Sequence, residues 1–272
     1  MQSLRALSLT LNITVWLENS RNPHVLHVFD NACNLVNEHR EVLSIVTPQI
    51  GNGPFNLVIE DNIFFTDSIN PKSPVSSSAN QLQLGNLITN TVDAKLWSPY
   101  PDWQMLHSKR ENILEQVTSL SIANYQPLLP DSLISNLASA IANADLSASL
   151  TAARQLAGLG QGLTPAGDDF MMGALHAAWI IHPHAVVESI AREIANTAEL
   201  LTTSLSAAWL RSAGKGEAGI LWHNFFATLL SEQTINIQES TNEILAVGET
   251  SGADALAGFF GTFDSWSERT DS

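Results

Sequence analysis

The sequence predicts an α+β protein: an antiparallel β sheet or small barrel in residues 1–100, followed by a mainly α-helical domain in residues 101–272. Three observations predict it. Apolar residues in the first hundred positions recur with a period of two, as strands with one buried face require. From Asp102 the period lengthens to that of a helix. Proline, glycine and asparagine also cluster between the short apolar stretches of the first part, as turns between strands do.

Taken in order, the predicted strands are Leu11–Leu17, Val25–Phe29, Val42–Val46, Phe55–Ile59 and Leu87–Trp97. Turn signals separate them at Arg21-Asn22-Pro23, between Pro48 and Pro54, and at Glu60-Asp61-Asn62. Residues 66–81, with Pro71, Pro74 and Ser76-Ser77-Ser78, read as an exposed loop. The helical part divides into candidate helices at 102–119, 131–144, 147–158, 165–181, 184–213, 217–231, 238–247 and 251–262. In 184–213 the apolar face runs through Val186, Ile190, Ile194, Leu201, Leu205 and Trp209, and Gly214 and Gly216 supply the stop. The helix over 165–181 is apolar nearly all round and is therefore expected to be central and buried.

Charge excludes some function classes. Lys and Arg number 12 against 27 Asp and Glu, a formal charge of −15 that disfavours nucleic acid and anionic membranes as broad partners. Cys33 is the single cysteine, so no intrachain disulfide or cysteine-based zinc site can form, and a buried structural thiol is expected. No signal peptide or spanning segment is read in the chain, and a cytoplasmic setting is the expectation.

One phrase occurs twice. Gly162-Leu163-Thr164-Pro165-Ala166-Gly167-Asp168 returns as Gly248-Glu249-Thr250-Ser251-Gly252-Ala253-Asp254, each copy running into an apolar helix. Thr164 reads as an N-cap with Pro165 at the first helical position. Ala166 and Gly167 leave the first-turn N–H groups uncovered, and such donors at a helix start attract anions. Asp168, Asp169 and Asp254 are the candidate catalytic carboxylates. Gly162, Thr164, Gly167, Thr250, Ser251 and Gly252 are the candidate substrate contacts. The two starts are expected to meet in one composite polar site. The plain alternative is capping, with Ser251 and Asp254 as an S-x-x-D box.

Asp169, Gly173 and His176 share a helical face, so His176 is a candidate base or ligand contact, or simply a core histidine. His182 and His184 flank Pro183 without a third metal ligand nearby in sequence. Arg211 and Lys215 are cations able to approach an anion, Lys215 between two glycines. Hydroxyls at Thr202, Thr203, Ser204 and Ser206 fit a surface role equally well.

Gly162 to Phe170, the Thr202–Ser206 stretch leading to Ala213-Gly214, and Gly248 to Asp254 together resemble a bacterial family whose better-known members are AllH-type subunits of oxamate carbamoyltransferase, a family wider than that pathway. Its pattern is G-L-T-P-[SA]-G-D-D-[FM], a Thr/Ser-rich helix, then G-x-[TS]-S-G-x-D. The resemblance is strong from 150 to 262 and thinner before, at Phe29-Asp30-Asn31-Ala32 and Gly51-Asn52-Gly53-Pro54. Glu249 stands where the family often has histidine. The resemblance implies a subunit working beside an FdrA-like partner and another subunit, in reversible transfer: oxalurate plus phosphate to oxamate plus carbamoyl phosphate, within allantoin or purine breakdown. Asp168, Asp169 and Asp254 would then bond a carbamoyl NH₂, or hold a divalent cation such as Mg²⁺ against phosphate. The alternatives are a non-catalytic anion-binding or scaffolding subunit, and a stand-alone metal-dependent amide or ureide hydrolase.

Overall fold

The computed structural model describes residues 1–60, 62–120, 127–231 and 234–270. The chain divides into two compact units, Met1–Pro99 and Tyr100–Ser272.

The first unit is a mixed sheet of nine strands among the described residues. They are β1 (Gln2–Leu9), β2 (His24–Val28), β3 (Ala32–Val36), β4 (Val42–Val46), β5 (Asn56–Ile59), β6 (Val75–Ser78), β7 (Gln81–Leu84), β8 (Leu87–Asn90) and β9 (Lys95–Leu96). Their order is β2-β3-β4-β5-β1-β8-β7-β6, with β9 beside β1. The hairpins are antiparallel as expected, but β1 pairs in parallel with β8 and β9, and β4 with β5. Every residue of β4 and β5 is buried, which explains their continuous rather than alternating apolar character. Cys33 lies buried in β3, and burial pushes its thiol up to about 12.

Three expectations fail in this unit, the first being the single strand over Leu87–Trp97, which is broken into β8 and β9 by a turn at 92–93. Leu11–Leu17 is not a strand but lies in helix α1 (Leu11–Asn19). Its buried residues are Ile13, Trp16 and Leu17, at helical spacing, while Leu11 and Val15 face solvent. The alternation of Leu11, Ile13, Val15 and Leu17 therefore does not mark a buried face. The 66–81 stretch is not all loop either: it holds most of the short helix α2 (Phe65–Ser68), anchored by buried Phe65, and the edge strand β6.

The second unit is helical: α3 (Trp103–Ser108), α4 (Arg110–Ser119), α5 (Asp131–Ala142), α6 (Leu146–Leu156), α7 (Ala166–Ile181), α8 (His184–Ala198), α9 (Ser204–Gly214), α10 (Ile220–Ser231), α11 (Thr234–Leu245) and α12 (Ser251–Thr270). All of α7 except Ala166 and Met172 is buried, as its all-round apolar sequence requires. Its far end sets His176 and Trp179 among Trp103, Trp222 and Phe226. No helix of the described residues is long and apolar enough to cross a membrane.

The long helix expected over 184–213 is broken. After α8 the chain makes a 3₁₀ turn at Glu199–Leu201, leaves helical geometry at Thr202, and restarts with Thr203 as the N-cap of α9. The Thr203 hydroxyl accepts from the Ser206 N–H at 3.1 Å. Of the expected face, Ile190, Ile194 and Leu205 are buried, while Leu201 at the break is exposed and Val187 rather than Val186 is buried at the start of α8.

Candidate functional site

The site is built where α7 and α12 begin. The two helices lie so close that neither tolerates a side chain at the contact. A Cβ on Gly173 would stand 1.7 Å from the Ala255 carbonyl oxygen, and one on Gly258 would stand 1.9 Å from that of Phe170. Nearer the starts, the hydroxyls of Thr164 and Ser251 hydrogen-bond at 2.8 Å. Contacts advance in the same sense along both helices, so the two run side by side in one direction.

Each helix start is also seated the same way on the helix before it. A Cβ on Gly167 would meet the Leu156 oxygen at 2.2 Å, and the Gly167 N–H donates to Leu159 O at 2.9 Å. A Cβ on Gly252 would meet the Ile244 oxygen at 1.8 Å, and the Gly252 N–H donates to Val247 O at 3.1 Å. The repeat is therefore structural, but in a register one residue away from the sequence phrase. The helices start 85 residues apart, at Ala166 and Ser251, whereas the phrases start 86 apart, at Gly162 and Gly248. The conserved geometry is G-x-D-x-x-x-G, over Gly167, Asp169 and Gly173 in one copy and Gly252, Asp254 and Gly258 in the other. The equivalent of Asp254 is Asp169, not Asp168.

That distinction separates the three carboxylates. Asp168 has both oxygens engaged: Oδ1 accepts from the Gly158 N–H at 2.9 Å and Oδ2 from the Thr202 hydroxyl. Burial raises its pKa, and those two donors with Ser206 pull the other way. Asp169 is 5% exposed, and its Oδ2 has no hydrogen-bond partner. Burial pushes it up to about 8 against the pull of the Ser251 and Thr164 hydroxyls, with the charges of Asp254 and Asp168 adding to the rise. Asp254 is buried at 1% exposure, and its N–H donates to Thr250 O at 2.8 Å.

The remaining candidates fall as follows. Thr164 is not the N-cap of α7: Pro165 holds that position with extended backbone, and the Thr164 hydroxyl turns to Ser251. Ser251 is the first residue of α12 rather than the residue before it, so it does not open a capping box. Gly167 and Gly252 do not leave their N–H groups uncovered, since chain carbonyls take both; the missing side chain serves close packing instead. Gly162 and Thr250 are exposed, Gly162 in left-handed backbone with open space around it.

His176 is distant in character from this polar end. It is 1% exposed, against Trp222 at 4.8 Å and Phe226 at 5.9 Å between ring centres, and its Nδ1 has no partner. Burial, with His223 adding, lowers its pKa to about 3, so it is neutral. Arg211 pairs with Glu199 at 3.1 Å. Lys215 is exposed at the end of α9, and its flanking glycines serve packing: Gly214 against α8, and Gly216 under the Trp103 indole, whose N–H donates to Gly216 O at 2.7 Å. His182 bonds Ile141 O through Nε2 at 2.7 Å, and the His184 ring lies against Trp179.

Sequence reasoning passes over Gly158 and Gly258, and reads Thr202 only as one hydroxyl of a cluster that suits the surface equally well. Gly158 needs glycine twice over, for its φ of +71° and because a Cβ there would lie 2.5 Å from Leu201 O. The hydroxyl cluster at Thr202–Ser206 is the sequence signal for the Asp168 contact. Among the described residues no group of three or more His, Cys, Asp or Glu could hold a metal ion.

Two family models match the chain. Residues 156–263 match that of the oxamate carbamoyltransferase subunit AllH, and residues 5–96 that of the AllH family N-terminal domain. No solved structure matches it significantly.

Proposed function

The chain belongs to the AllH family, and from that premise we propose that it is a working subunit of a carbamoyltransferase complex whose small-molecule site lies at the paired starts of α7 and α12. The reaction is carbamoyl transfer between oxalurate and phosphate. A phosphate oxygen bonds the carbamoyl carbon, the bond from that carbon to the oxamate nitrogen breaks, and the nitrogen leaves as the oxamate amide with a proton. FdrA-like and further subunits are the expected partners.

One observation carries the placement: a carboxyl oxygen of Asp169, buried beside a second buried aspartate, has nothing to bond to. Burying such a group without a partner costs free energy, and native folds keep the arrangement mainly at functional sites. The alternative of simple helix capping does not account for it. The capping roles here are filled by Pro165 and by chain carbonyls, and Asp169 bonds no helix-start N–H.

The reading is tested by thermal unfolding of the purified chain with oxamate, oxalurate, carbamoyl phosphate or phosphate. A ligand at about 100 times its Kd adds about 2.7 kcal/mol of stability. The shift is expected in the native chain and in Asp145→Asn, which alters only the cap of α6, and is expected to vanish in Asp254→Asn. An equal shift in Asp254→Asn places the ligand elsewhere.

A further inference from the structure

We propose that Asp169 and Asp254 hold one proton between them and act as an acid–carboxylate pair that grips a primary carboxamide or carbamoyl group. Asp169 donates its O–H to the amide oxygen, and Asp254 accepts an amide N–H. The inference rests on the site assignment above and adds which part of the substrate enters it.

Four observations lead there. First, the ionisable groups that act on Asp169 are Asp254 from α12 and Asp168 from α7 itself, with no cation contributing. Two carboxylates buried together with no cation beside them repel, and the inexpensive way to relieve this is to keep one protonated. The upward shift of Asp169 agrees with a proton kept at this pair. Second, Asp168 is spent on Gly158 and Thr202, so it is not the group that meets a ligand. Third, Asp169 Oδ2 is buried and unpartnered, leaving capacity for a hydrogen bond that the fold does not supply. Fourth, the Gly167 and Gly252 N–H groups are already bonded to chain carbonyls. Those amides are therefore not available to an anion.

An anionic end is thus poorly matched to this spot, since it would add a further negative charge beside the two aspartates. No group of three or more His, Cys, Asp or Glu able to hold a metal stands here among the described residues. A primary amide fits, because its C=O and N–H lie side by side and match one O–H donor and one carboxylate acceptor. The pseudo-symmetric contact of α7 with α12 sets the two carboxyls at equivalent places on neighbouring helices, as a two-point grip requires.

The test uses the full chain, purified with whatever subunits accompany it. Infrared spectra at neutral pH are expected to show the band of a buried protonated carboxyl, absent in Asp169→Asn. Binding is then compared for oxamate and N,N-dimethyloxamate, which keeps the charge but has no N–H. The dimethyl compound is expected to bind about tenfold or more weakly, the loss of one charge-assisted hydrogen bond. Oxamate affinity is expected to fall above about pH 8 as the shared proton leaves. Asp169→Asn places an amide donor where the acid stood, so it is expected to keep binding and lose that fall, whereas Asp254→Asn loses binding. A missing carboxyl band, or equal affinity for the two compounds, overturns the amide grip while the site assignment stands. Oxamate binding untouched by both substitutions overturns the site assignment as well.

Discussion

Gly173 and Gly258 occupy equivalent places on neighbouring helices, and each abuts the other helix's backbone. The atoms a Cβ would strike are carbonyl oxygens and amide nitrogens, which cannot swing aside. Gly173→Ala and Gly258→Ala are therefore each expected to cost about 3 kcal/mol or more, the upper range of overpacking. Gly261→Ala is the control. The nearest atom to a Cβ there is the tip of Phe170 at 4.0 Å, so helix propensity dominates and a gain of about 0.5–1 kcal/mol is expected. Urea denaturation of the three variants checks the contrast.

The Asp168–Thr202 contact predicts a coupling energy. Asp168→Ala strands the Gly158 N–H and the Thr202 hydroxyl, whereas Thr202→Val removes a single donor. A double-mutant cycle on these two positions is expected to give about 1.5–3 kcal/mol, as for a hydrogen bond to a charged group. A coupling near zero would mean that the carboxylate is held by Gly158 and Ser206 without help from Thr202.

Asp169 predicts an unusual stability profile. Its folded pKa of about 8 lies above the ordinary 3.8, so the folded state holds a proton the unfolded chain releases between those values. The contribution is therefore fully present below 3.8 and lost as pH rises through about 8, a span worth on the order of a few kcal/mol. Asp169→Asn is expected to flatten this slope and to be the more stable protein at alkaline pH. Denaturant midpoints across the range measure it directly.

His176 gives the opposite slope. Its folded value of about 3 lies below the ordinary 6.5, so the unfolded chain binds the extra proton between them. The contribution is fully present above 6.5 and lost as pH falls through that window. His176→Phe retains an aromatic ring among Trp103, Trp222 and Phe226 while removing the proton site. Its acid limb is expected to be shallower, and the nitrogen NMR shifts of the native ring should stay those of a neutral imidazole down to about pH 4.

Cys33 gives a probe for the first unit. A thiol pushed up to about 12 and fully buried carries almost no thiolate at neutral pH. Maleimide labelling is expected to follow opening of the sheet, accelerating with urea. Fast labelling in native buffer would mean that β3 opens locally.

Much of this organisation is legible in the sequence because it follows from periodicity. The change to helical period near Asp102 and the all-round apolar character of α7 are direct consequences of burial. Less legible are the features decided by neighbours. In α1 the polar and apolar residues fit two periods at once, and the covering of Ile13, Trp16 and Leu17 decides between them. The break at Thr202 goes with a carboxylate on α7, on the other side of α8 in sequence, which takes the Thr202 hydroxyl. The repeat is visible as a phrase, yet its true register depends on which glycine must touch a carbonyl, a fact of packing alone.

The pairing of α7 with α12 also imposes an order of assembly. Ala166 and Ser251 are 85 positions apart, so at 5–20 residues per second a ribosome needs roughly 4–17 s to deliver the second helix after the first. Throughout that interval α7, nearly all of which is buried in the folded protein, lacks the neighbour that covers Gly173 and Phe170. The nascent protein must shelter this surface or risk association through it. Chains that terminate before Ser251 are accordingly expected to be captured by chaperones or degraded rather than to accumulate as a folded sheet with a loose tail.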